Sequence, residues 1–275
     1  MKVSMKGTTM WQGMLVGCGC AVILLAALAA TAGENARPVD PAVAAFEART
    51  YTDAKGETLL YRILKPENYD AKQKYPLVIF FHGAGERGTD NVAQLKHCVA
   101  TFVRPEVRAK YPCFVIAPQC PSNQKWVDMD WGNEKGAQPA APSASMRKAL
   151  ELIDALQKEF SIDAKRLYVS GISMGGYATW DILCRKPEMF AAGIPICGGG
   201  DEAKAAAMAK VPVWAFHSDD DKAVKVVRTR SMIQAMKDAG GNPKYTEYTG
   251  LGHNSWTKAY SEPELLPGLF AQHRP

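Results

Sequence analysis

Apolar residues gather in short, evenly spaced runs along most of the chain. Leu59-Leu60-Tyr61-Arg62-Ile63-Leu64 is closed by Pro66, Leu77-Val78-Ile79-Phe80-Phe81 lies between Pro76 and Gly83, and Cys113-Phe114-Val115-Ile116-Ala117 stops at Pro118. Runs of four to six residues without polar alternation suit strands covered on both faces, as in a largely parallel sheet. Between Ser143 and Phe160 the period changes. Met146, Leu150, Ile153 and Leu156 form a stripe at helical spacing, with Ser143 placed to cap it. Further strands are expected at Arg166–Ser170, Ala191–Ile196, Val211–Phe216 and Lys244–Tyr248. Helices are expected at Met174–Arg185, ended by Pro187, and at Val226–Ala239, ended by Gly240-Gly241. A last helix falls between Pro263 and Gln272. Alternating strands and helices predict a three-layer α/β domain with a mostly parallel central sheet. Asn123–Pro142, rich in Gly, Ala and Pro, is a long loop of the kind that often serves function.

The N-terminus breaks this pattern. Lys2 and Lys6 precede an apolar stretch, densest over Cys20–Ala30, and Ala30-Thr31-Ala32 offers small residues for cleavage. Residues 1–32 are read as a secretory signal, 33–45 as an Ala/Pro-rich linker and 46–275 as the folded domain. The expected location is secreted or periplasmic, with no span in the mature chain. Two alternatives are an uncleaved anchor and, from Leu15-Val16-Gly17-Cys18, lipidation at Cys18. The densest apolar run is shorter than the roughly 20 residues a span needs.

The 275 residues, 47% of them hydrophobic and 22% charged, suit one large core rather than a disordered or fibrous chain. The net charge of +5 includes no basic run interleaved with aromatics, which excludes a nucleic-acid partner. Lys222, Lys225, Arg228 and Arg230 are spaced as one solvated helix face. Of seven cysteines, Cys18 and Cys20 leave with the signal. Cys98, Cys113, Cys120, Cys184 and Cys197 remain, an odd set read mainly as small buried hydrophobes. No CxxC pair or Cys/His cluster has metal-ligand spacing, and no metal or cofactor is expected.

The candidate chemistry centres on Gly171-Ile172-Ser173-Met174-Gly175-Gly176. GxSxG between an apolar strand and a helix is a nucleophile elbow: the turn is too tight for flanking side chains and lifts the serine above the sheet edge. Ser173 is therefore the expected nucleophile, and its hydroxyl needs a base. Of five histidines, His273 is terminal, and His97 is expected on a helix and exposed. His82 shapes the Gly83 turn, and His217 ends a strand. His253, in a loop after the last strand with room for an acid between it and Ser173, is the expected base. An acid should follow the preceding strand, where Asp219, Asp220 and Asp221 are adjacent. Spacing does not choose among them, and the remaining two are expected to cap the next helix or face solvent. Met174 N–H and Ala84 N–H, the latter in the glycine-rich His82–Gly88 loop, are the expected oxyanion donors. Trp126, Trp131 and Trp256 could form an aromatic wall for a flat acyl group. Glu86 and Arg87 are expected to pair with each other or with neighbouring loops, and Tyr177 and Trp180 to lie in the core.

Four segments then carry a specific resemblance: Phe81–Gly88, Gly171–Tyr177, Pro195–Asp201 and Gly252–Trp256. They resemble the α/β-hydrolase superfamily, in particular the predicted peptidases and phospholipase/carboxylesterase-like hydrolases related to feruloyl esterases and polyhydroxybutyrate depolymerases. The similarity covers roughly Leu59 to Gln272. It implies a three-layer α/β-hydrolase fold, a Ser-Asp-His triad and an acid four residues after a strand-end histidine. In His217-Ser218-Asp219-Asp220-Asp221 that acid is Asp221, although Ser218 replaces the usual glycine and Lys225 a common proline. The implied substrate is a small-molecule or polysaccharide-linked ester, including acetyl or feruloyl esters of plant polysaccharides. A serine peptidase acting on small peptides and a non-catalytic binding protein on the same fold are the alternatives.

Overall fold

The computed structural model describes residues 40–275. The expected signal, Cys18 and residues 33–39 of the expected linker lie outside the described residues. Eight strands form one sheet: β1 (Glu47–Thr52), β2 (Thr58–Leu64), β3 (Tyr75–Phe81), β4 (Phe114–Pro118), β5 (Ile162–Ile172), β6 (Ala192–Ile196), β7 (Trp214–Ser218) and β8 (Lys244–Tyr248). The order across the sheet is β1-β2-β4-β3-β5-β6-β7-β8. β1 and β2 run antiparallel to their neighbours, and every pairing from β4 to β8 is parallel. The helices are α1 (Pro41–Ala45), α2 (Pro105–Lys110), α3 (Ala144–Glu159), α4 (Met174–Arg185), α5 (Ala205–Met208), α6 (Val227–Asp238), α7 (Trp256–Ala259) and α8 (Leu265–Phe270).

Two cores sandwich the sheet. Leu77, Ile79 and Phe81 of β3 pack with residues of α3, α4 and α6 on one face. Val78 and Phe80 pack on the other with Val99, Phe102, Leu265 and Leu269. Covering both faces explains why β3 reads as an unbroken apolar run, since successive strand residues point to opposite sides.

The sequence expectations need several corrections. β1 left no hydrophobic signal because Glu47-Ala48-Arg49-Thr50-Tyr51-Thr52 is an edge strand with no buried residue. Pro41–Ala45, expected in a linker, form a helix capped by Asp40 that buries Ala42 fully. On α3 the Ser143 hydroxyl accepts the Met146 N–H, as its position suggested, but Leu150 is only partly buried; Ala149 and Leu152 complete the inner face. β7 begins at Trp214 rather than Val211 and includes His217 and Ser218. His97 is in a bend, not a helix, and is half-buried. Arg228 does not share a solvated face with Lys222, Lys225 and Arg230. It is fully buried, donates from Nη2 to Gly200 O at 3.0 Å, and lies over the Tyr177 ring. Tyr177 and Trp180 are core residues.

Candidate active site

The C-terminal end of β5 runs straight into α4, and Ser173 is the single residue between them. Its backbone is forced to φ 54°, ψ −116°, a conformation rare for a residue with a Cβ. Such strain costs on the order of 1–3 kcal/mol and persists where the surroundings over-determine it. Here the Ser173 N–H donates to Ile196 O at 2.9 Å, and the elbow glycines leave no room for alternatives. A Cβ on Gly175 would stand 1.9 Å from Phe81 O, and one on Gly171 2.2 Å from Gly175 O. The end of β3, the Ser173 turn and the start of α4 therefore touch backbone to backbone.

Three side chains from separate segments meet above this turn. His253 Nε2 lies 2.9 Å from Ser173 Oγ, and its Nδ1 lies 2.7 Å from Asp221 Oδ2. Nδ1 faces a carboxylate and so carries the hydrogen, leaving Nε2 to accept from the serine hydroxyl. The Asp221 side chain is inaccessible to solvent. Its Oδ1 accepts the Ala223 and Val224 N–H groups at 2.8 and 3.0 Å, and its Oδ2 also lies 3.1 Å from His217 Nε2. Burial alone would push this carboxyl up. The hydrogen bonds from His217, His253 and Val224 outweigh it and hold Asp221 well below the usual carboxylate range.

The two neighbouring carboxylates neither cap α6 nor simply face water. Asp219 accepts from the Thr249 hydroxyl and Gly250 N–H, and Asp220 from the Ser218 hydroxyl and Gly252 N–H. Both tie down the loop that carries His253. Cys197 sits at the end of β6 with its sulfur within 4.8 Å of ligand atoms of Asp221 and His253. Burial pushes its thiol far up, so it stays protonated. An ion there would have to remove that proton and displace donors from an Asp221 that already accepts four, so the trio fits a metal poorly.

The loop after β3 closes the other side. Gly83 is so near Ser173 that a Cβ on it would lie 3.6 Å from Ser173 Cβ. Ala84 follows at the start of a 3-10 turn, and Met174 opens α4. Among the described residues neither backbone N–H donates to another protein group. Arg87 does not pair with Glu86. It donates to Ala84 O and Gln124 O, while Glu86 is buried with its carboxylate 3.5 Å from His97 Nε2.

His82 anchors this loop. Its Nδ1–H donates to Gly83 O at 2.6 Å and its Nε2 accepts the Cys120 N–H at 2.9 Å. Burial lowers its pKa from 6.5 to about 4. The unfolded chain therefore takes up this proton below pH 6.5, while the folded one resists until about pH 4. Stability contributed by neutral His82 is complete above pH 6.5 and declines as the pH falls to about 4, by up to about 3 kcal/mol. Urea denaturation between pH 7 and 4 should show that decline in wild type. In His82→Gln a lower plateau and a flatter slope are expected; an equal slope would remove His82 as its source.

The three tryptophans separate. Trp256 stands edge-on to His253, with ring centroids 5.5 Å apart, and 5.3 Å from the ring of His97. Trp131 is partly buried, with Lys125 Nζ 4.7 Å above its ring and Tyr177 beside it. Trp126 is fully buried, packs on Phe81 and donates Nε1–H to His82 O. It has no face to offer a substrate, so the expected wall loses that member. Sequence reasoning missed His97 and the second imidazole on Asp221. For the latter, the four-residue spacing of His217 and Asp221 was a visible signal.

Residues 68–262 match the phospholipase/carboxylesterase family. The chain belongs to that family. Among solved structures, a thermostable esterase superposes with a TM-score of 0.79 at 39% identity, covering 84% of this chain and 64% of that one. The Aspergillus terreus protein named "Probable feruloyl esterase C" is 25% identical over 134 residues, 49% of this chain and 44% of its own. A bifunctional acetylxylan esterase/xylanase of Neocallimastix patriciarum is 30% identical over 88 residues, 32% of this chain and 13% of its own. The chain thus spans less than half the length of these curated relatives. The fold is that of an α/β hydrolase, with an eight-stranded, mostly parallel sheet.

Proposed function

We propose that this protein is a serine carboxylesterase in which Ser173, His253 and Asp221 form the catalytic triad. The carrying observation is the continuous line of hydrogen bonds from Ser173 Oγ through both nitrogens of His253 to Asp221. His253 takes the Ser173 proton as Oγ attacks the ester carbonyl, and Asp221 stabilises the imidazolium that forms. The Met174 and Ala84 N–H groups, near the positive end of α4, hold the developing oxyanion. His253 then passes the proton to the departing alcohol, leaving an acyl group on Ser173. Water, deprotonated by the same imidazole, releases the acid and restores the hydroxyl.

Relatives named for feruloyl and acetylxylan esters support an acyl ester of that kind as the substrate. Trp256 and Trp131 supply aromatic surface for the acyl or sugar part. Purified protein offered p-nitrophenyl acetate, methyl ferulate, acetylated xylan and a dipeptide p-nitroanilide should turn over at least one of the esters and leave the anilide intact. Faster release from the anilide than from every ester would replace this reading with a peptidase. The basic, apolar and small-residue pattern of residues 1–32 supports export to the periplasm or outside. N-terminal sequencing of exported protein should begin at Gly33, whereas a lipid-blocked Cys18 would mark an anchored form instead.

A further inference from the structure

His217 is a fully buried imidazole that the mechanism above does not use. Its Nε2 lies 3.1 Å from Asp221 Oδ2 and 3.0 Å from Val224 O. Both partners are acceptors only, so Nε2 carries a hydrogen and donates. Its Nδ1 lies 2.7 Å from Thr229 Oγ1, which in turn lies 2.8 Å from Gly198 O, so the one hydroxyl hydrogen serves one of the two acceptors while the contacts remain continuous. Gly198 packs on the backbone of Gly176, in the first turn of the helix that follows the nucleophile. A line of hydrogen bonds and contacts thus runs from the triad carboxylate through His217 and Thr229 to the wall behind Ser173.

Asp221 Oδ2 receives two imidazole N–H groups, one from each side. A carboxylate oxygen shared between two donors gives each less charge than it would give one alone. We propose that His217 is a positioning residue for this site: by donating to the oxygen that receives His253, it fixes the carboxylate's orientation and limits how strongly that carboxylate favours the charged form of the second imidazole. The proposal rests on the reading of Ser173, His253 and Asp221 as the reacting groups. The other polar and charged groups around His217 do not take over this role. Glu247, its register partner on β8, is held by Arg230 and Tyr245. Arg228 on α6 turns to Gly200 O, Asp220 is bound to Ser218 and Gly252, and the Cys197 thiol at the end of β6 is held protonated.

Without the second donor, Asp221 stabilises an imidazolium at His253 more strongly, so the base stays protonated to higher pH. The acid limb of kcat/KM against pH, read with p-nitrophenyl acetate, should move up by about 0.5–1 pH unit in His217→Leu, with kcat falling about tenfold. His217→Gln, whose amide can donate to Asp221, should return the midpoint close to wild type. Should the leucine variant fail to fold, Thr229→Val, which removes the hydroxyl partner of Nδ1, should shift the midpoint in the same direction by a smaller amount. A role in packing alone would lower kcat in these variants and leave the midpoint where it was. An unmoved midpoint in the folded His217→Leu protein, or in Thr229→Val where leucine does not fold, would overturn the inference while leaving the triad reading intact. Survival of wild-type turnover in Ser173→Ala would instead remove the triad reading, and the role of His217 with it.

Discussion

Replacing Ser173 with alanine should lower the kcat for p-nitrophenyl acetate by about 10⁵–10⁶-fold, the scale on which a serine–histidine unit fails when one member is lost. That is about 7–8 kcal/mol of transition-state stabilisation. The folded state should change little, because the substitution removes one hydroxyl whose partner, His253, remains partly open to water. The unfolding free energy from urea melts should stay within about 1 kcal/mol of wild type. The contrast between a large kinetic loss and a small equilibrium change separates a reacting group from a structural one. The elbow keeps its shape in this variant because the Ser173 N–H bond to Ile196 O and the glycine contacts belong to the backbone. Near-wild-type turnover would show that the reacting hydroxyl lies elsewhere.

The second large effect is on folding. Gly175 lies in the first turn of α4, where helix propensity alone would favour alanine by about 1 kcal/mol. Space decides otherwise. The added methyl would sit 1.9 Å from Phe81 O, 2.5 Å from Phe81 C and 2.9 Å from His82 O, all backbone atoms of β3 and its following loop. No rotamer change relieves such a clash, so β3 must separate from α4. Gly175→Ala is expected to destabilise the domain by at least about 3 kcal/mol, a large share of the roughly 5–15 kcal/mol that holds a typical domain together. Gly85→Ala provides the comparison, because a Cβ there meets nothing within 4 Å. Its stability should remain within about 0.5 kcal/mol of wild type. Urea melts of the two variants should differ clearly, and equal midpoints would contradict the close packing of strand end and helix start.

Much of this arrangement was legible in the sequence where one physical constraint dominates. β3 and β4 announced themselves because both faces are covered, which demands an uninterrupted apolar run. The Ser173 elbow was visible because only glycine fits at Gly171 and Gly175. Residues that depend on the third dimension were not legible. β1 is an exposed edge strand, so nothing in its pattern marked it. Arg228 falls on the inner side of α6, against Gly199 and bonded to Gly200 O, although Lys222, Lys225 and Arg230 around it are exposed. Trp126 turns inward because His82 O is there to accept its indole N–H. Among Asp219, Asp220 and Asp221, spacing could not choose, since each follows the same strand. What divides their work is which oxygen meets the His253 ring and which meets the loop that carries it.

Covalent trapping tests the central claim most directly. A fluorophosphonate probe reacts with a serine only where a base removes its proton and donors hold the new oxyanion. Incubation of the purified protein followed by peptide mass spectrometry should give one adduct, on Ser173, that disappears in His253→Ala. An unlabelled protein under conditions that label a known serine esterase, or an adduct on another residue, would contradict the account.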